Sequence, residues 1–114
     1  MTDVIIRWGL VLLLVGVLAP AAGYGADQAT AFVYHRFGDA RHPSTNTSLP
    51  EFRAHLTALR SGGYAVLPLG EIVNRLRRGE ALPERCVAIT VDDAFRSFLT
   101  GAMPLLREYG YPVT

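Results

Sequence analysis

The chain has 114 residues, 50% of them hydrophobic and 18% charged, with a formal net charge of +1. That balance fits a globular unit and excludes a disordered or strongly charged class. Every basic residue is an arginine, no basic stripe emerges, and no nucleic-acid partner is expected.

Arg7 precedes an apolar run from Trp8 to Ala19, and Pro20-Ala21-Ala22-Gly23-Tyr24-Gly25-Ala26 follows it. A positive start, an apolar stretch and small residues behind it describe a secretory signal peptide. The run is shorter than the ~20 residues of a membrane span. Residues 1–26 therefore read as a signal peptide and 27–114 as an exported domain, periplasmic or secreted. Cleavage fits after Ala22, Gly23 or Ala26. An uncleaved signal that anchors the protein in the inner membrane is the alternative, and the membrane enters only through this segment.

Ala31 to Arg36 reads as a first strand with His35 near its end. Phe37 to Thr47 is a polar loop containing His42. Ser48-Leu49-Pro50-Glu51 matches a capping box, with proline tolerated in the first turn. Phe52, Leu56 and Leu59 then give Leu49–Arg60 one apolar face, and Gly62-Gly63 ends the helix. His55 packs on that helix or points to solvent. Tyr64–Leu67 is a second short strand. Gly70–Arg78 is a second helix expected to bury Ile72, Val73 and Leu76, with Arg75, Arg77 and Arg78 on a solvated face. Cys86–Val91 is the third strand. The sole cysteine, Cys86, cannot form an internal disulfide and reads as a small buried hydrophobe. A third helix spans about Phe95–Tyr109, with Phe98, Leu99, Leu105 and Leu106 inward and Pro104 marking a kink or break. Tyr111-Pro112-Val113-Thr114 opens a fourth strand. This alternation predicts an α/β fold with a mostly parallel sheet.

Val87 to Val91 runs without polar alternation into Asp92-Asp93. Such a run fits a strand covered on both faces. In α/β folds the carboxyl ends of these strands are where active sites are built. One carboxylate there can ligate a metal ion while the other takes a proton from a metal-bound water. An aspartate after a strand also suits the N-cap of the next helix, so capping is the competing reading.

The order Tyr34-His35-Arg36-Phe37, helix, Gly63-Tyr64-Ala65-Val66-Leu67-Pro68-Leu69, then Thr90-Val91-Asp92-Asp93-Ala94 resembles the start of the polysaccharide deacetylases, the NodB-homology family. The family writes its first motif T-F-D-D-G, so here the aromatic and the glycine have changed. The resemblance covers about residues 30 to 114. It implies a partial, distorted (β/α) barrel, of which this chain supplies roughly the first three to four strands. It implies metal-dependent hydrolysis of N-acetyl groups on acetamido sugars of a cell-surface or extracellular polysaccharide. Asp92 corresponds to the catalytic base and Asp93 to the metal-ligating carboxylate, with zinc the expected divalent ion and other divalent ions alternatives. The family's other metal ligands are two histidines in a downstream His-x-x-x-His. Only His35, His42 and His55 occur here, all upstream, so residues 27–114 read as a domain portion truncated before that motif, inactive as an isolated fragment. His35 is a candidate to contact substrate or buttress Asp92, with a hydrogen-bonded structural histidine as the alternative. A non-catalytic saccharide-binding or vestigial module is the competing function.

Overall fold

A computed structural model describes residues 26–114, so the signal segment, apart from Ala26, lies outside the described residues. The central strand is the apolar run itself. Strand β5 (Cys86–Val91) is buried from Cys86 through Thr90, as expected for a strand covered on both faces. Strand β1 (Thr30–Tyr34) pairs parallel with β5, placing Tyr34 opposite Val91. Strand β4 (Ala65–Val66) pairs parallel on its other side, giving the order β1-β5-β4. Two short strands, β2 (Arg36–Phe37) and β3 (Asn46–Thr47), form a separate parallel pair.

Helix α1 (Leu49–Ser61) begins with the expected capping box between Ser48 and Glu51. Phe52, Leu56 and Leu59 are buried against Val87 and Ile89 together with Leu105 and Leu106 of α3 (Met103–Tyr109). Cys86 and Ala88, on the opposite face of β5, pack with Ile72 of α2 (Leu69–Arg77) and with Leu82. The two-residue alternation of a strand thus sends α1 and α3 to one face of the sheet and α2 to the other.

Four expectations are corrected. The first strand does not run on to Arg36. β5 ends at Val91, and the chain after Tyr34 turns to a new partner, with Arg36 N donating to the Thr45 carbonyl at 3.0 Å. Val73 and Leu76 are 36% and 42% exposed rather than buried. The small Ala31 and Ala88 beneath α2 leave an open groove that both side chains line. The third helix is interrupted, as Pro104 led one to expect, but Leu99 does not face inward. Phe98–Ala102 forms a π-helical turn in which Met103 N bonds Phe98 O, one residue wider than the α pattern. Pro104 follows and has no N–H to offer the preceding turn. The extra residue rotates Leu99 outward, to 64% exposed, while Ala102 stays buried. Tyr111–Thr114 is not a formed strand, although Thr114 exchanges two backbone hydrogen bonds with Ile89 and Val91 on the β4 side of β5.

β1 is the exposed edge. Thr30 through Val33 are exposed, Phe32 by 39% and Val33 by 55%, because no described strand pairs with its outer side.

Candidate active site

Asp92 and Asp93 leave the carboxyl end of β5, where the parallel arrangement also delivers the end of β1. Asp92 N donates to Tyr34 O at 2.9 Å, continuing the β1–β5 ladder by one residue. The next residue of β1's path, His35, therefore meets Asp92, with Nε2 3.8 Å from Oδ2. Both side chains are open to solvent, at 35% and 59% exposure. The separation is too long for a direct hydrogen bond and short enough for an ion pair once the imidazole is protonated.

Asp93 and Ala94 both take left-handed backbone conformations, with φ of +66° and +47°. Aspartate tolerates that region through local hydrogen bonding, whereas alanine is strained there. Position 94 is where the resembled motif carries glycine. The turn breaks the chain between strand and helix, and the π-helical turn beyond it has no side-chain cap.

Residues 95–97 are pinned to β2. Ser97 Oγ accepts from Phe37 N at 3.1 Å. The Arg36 guanidinium lies 3.5 Å from the Phe95 ring centre, a cation–π contact. Arg36 also faces Asp39 at 3.5 Å, and Asp39 N donates to Asn46 Oδ1 at 2.7 Å. Arg41 grips the Asp39 carboxylate, which with the nearby His42 holds that carboxyl below its ordinary range. The clamp joins segments distant along the chain, so no local pattern signals it.

His55 is placed on α1, its Nδ1 3.1 Å from the Tyr34 hydroxyl. Burial, then Glu51, pushes that phenol above its usual value. Cys86 is buried, and desolvation raises its thiol, which suits a packing role. Asp92, Asp93 and His35 are donor types suited to zinc. Yet among the described residues no group of three or more His, Cys, Asp or Glu side chains converges. A catalytic zinc keeps three protein ligands, so these residues do not by themselves fit a complete metal centre.

No protein-family model matches the chain. It is 35% identical over 74 residues to poly-beta-1,6-N-acetyl-D-glucosamine N-deacetylase of Escherichia coli K12, a match covering 65% of this chain and 11% of that protein. It is 32% identical over 82 residues to a protein named as a polysaccharide deacetylase in Bacillus subtilis strain 168, covering 72% and 29%. The chain thus spans well under half of either relative. The fold matches a de-N-acetylase from Aggregatibacter actinomycetemcomitans, with a TM-score of 0.66, 22% identity, and 75% of this chain and 35% of that one covered. It also matches the Streptococcus pyogenes deacetylase PplD, with a TM-score of 0.66, 21% identity, and coverage of 75% and 40%.

The architecture is accordingly the α/β fold of the de-N-acetylases, represented in part. With the two sequence relatives, this supports a polysaccharide deacetylase domain, represented in part.

Proposed function

We propose that this segment serves a hydrolase that removes N-acetyl groups from acetamido sugars of a cell-surface or extracellular polysaccharide. One observation carries the reading: Asp92-Asp93 closes the buried central strand, with His35 facing Asp92 from the neighbouring strand. Asp92 is assigned as the base that takes the proton of the attacking water. Asp93 is assigned as a carboxylate ligand of a divalent cation of the zinc type, which when bound would polarise the acetamide carbonyl. His35 is assigned to hold Asp92 in place or to touch substrate. The other cation ligands are not among the described residues, so the isolated chain is assigned no turnover. The pattern of residues 1–26 supports export to the periplasm or beyond, with an uncleaved membrane anchor as the alternative.

The second reading is a saccharide-binding or vestigial module without chemistry. The shortfall in metal donors favours it for the chain alone.

A chimera tests the assignment. Residues 30–114 would replace the matching segment of the Escherichia coli relative. Acetate release from poly-N-acetylglucosamine should persist, and Asp92→Asn should lower kcat by about 10²–10⁴-fold with metal content intact. Asp93→Asn should lower metal content as well. If both variants turn over at the parental rate, the roles given to the two aspartates are wrong.

A further inference from the structure

We propose that the cleft beside the aspartate pair is a subsite for an anionic group on the polymer, a uronate carboxylate or a phosphate ester. The proposal deepens the polysaccharide reading above and rests on it. The cleft, about 620 Å³, is lined by Arg36, Asp39, Arg41, Arg96, Ser97 and Thr100 among others. Three arginines and one aspartate line it, a formal charge of +2, with the acidic pair Asp92-Asp93 just outside it in sequence.

The three arginines are not equally engaged. Arg41 holds Asp39 through two hydrogen bonds of 2.9 and 3.3 Å. Arg36 is laid flat on Phe95 and faces the same carboxylate at 3.5 Å. Its planar fork is therefore pre-oriented, so little side-chain freedom is lost when an oxyanion docks. Arg96 makes no ion pair among the described residues. Ser97 Oγ accepts from Phe37 N, which leaves its own proton free to donate. Neutral sugar hydroxyls do not need three guanidiniums. A carboxylate or phosphate uses them well, because a guanidinium's planar fork matches its paired oxygens. Phe95–Ser97 directly follows the aspartate turn, so a polymer presenting an acetamide to Asp92 carries its neighbouring units toward this cleft.

Titrating the 114-residue protein with three probes tests this. They are chitotetraose, a hyaluronan tetrasaccharide bearing uronates, and N-acetylglucosamine 6-phosphate. At least one anionic probe should bind about tenfold tighter than chitotetraose, equivalent to about 1.4 kcal/mol. Its affinity should fall as salt rises, because the site is open to solvent. Which anion binds identifies the source of the charge. Arg96→Gln and Arg41→Gln, both at exposed positions, should each remove most of that preference, while Arg107→Gln on α3 should not. Equal binding of the neutral and anionic probes, no binding of either anion, or full preference in both cleft variants would overturn the proposal. The readout is binding, so failure here is distinct from loss of acetate release in the chimera.

Discussion

His35 Nε2 and Asp92 Oδ2 stand 3.8 Å apart across the ends of two neighbouring parallel strands. This places an imidazole where it can orient the carboxylate assigned as the base without ligating anything itself. In the chimera, His35→Gln should lower kcat by about 10–100-fold, with KM and metal content near parental values. His35→Asn, a shorter amide, should rescue less than Gln does. A rise in KM with kcat unchanged would instead mean that His35 holds substrate.

Ala94 sits at φ +47°, in the region that costs a residue with a Cβ roughly 1–2 kcal/mol. Ala94→Gly should therefore stabilise the isolated chain by about 1 kcal/mol, raising Tm by about 4–8 °C for a domain of this size. Thermal melts of the two proteins decide it. A lower Tm would show that alanine contributes contacts there that outweigh the strain.

The outer edge of β1 offers unpaired backbone groups beside exposed Phe32 and Val33. Apolar edges of this kind template pairing with other chains, and lysine blunts them. The parental chain should self-associate at micromolar concentration in light scattering. Val33→Lys should raise the monomer fraction with little change in helical signal. Persistent association of the variant would place the sticky surface elsewhere.

Glu108 is hydrogen-bonded to Arg53 of α1 at 2.6 and 2.9 Å, tying α3 to that helix. The Arg53 hydrogen bond, chiefly, holds the Glu108 carboxyl below its ordinary 4.5. Asp39 is lowered in the same direction by Arg41. A lowered carboxyl contributes stability that is full above its unfolded value and is lost as pH falls through its folded one. Urea midpoints should therefore fall between about pH 5 and pH 3, and Glu108→Gln should flatten that slope. An unchanged slope would mean the pair is broken in solution, a common fate of exposed ion pairs.

Local features were legible in the sequence. The capping box at Ser48 and Glu51, the Phe52–Leu56–Leu59 stripe and the uninterrupted β5 each follow from short-range chemistry, and each forms. Position-specific stops did as well. Gly63 takes a positive φ at the end of α1. What the sequence did not reveal depends on distant partners. The central place of β5, the change of partner after Tyr34 and the exposure of Val73 and Leu76 are set by which strands pair. Leu99 fails for a different reason, since the π-helical turn ahead of Pro104 shifts the helical phase. At the site, the aspartates stood out because they end an apolar run. The approach of His35 to Asp92 was one of the two readings given to that histidine, but its 3.8 Å separation depends on the alignment of two strands far apart in the chain.

That alignment works as a ruler. Tyr34 lies opposite Val91, so His35 and Asp92 emerge level with each other. One step of slippage along a strand moves a side chain about 3.3 Å and turns it to the opposite face. A single-residue insertion or deletion inside β1 would therefore remove the imidazole from the carboxylate while leaving every residue type in place. Natural length variation should fall in the loop between β2 and β3 rather than within the two strands, since only the loop can absorb it without resetting the distance at the far end.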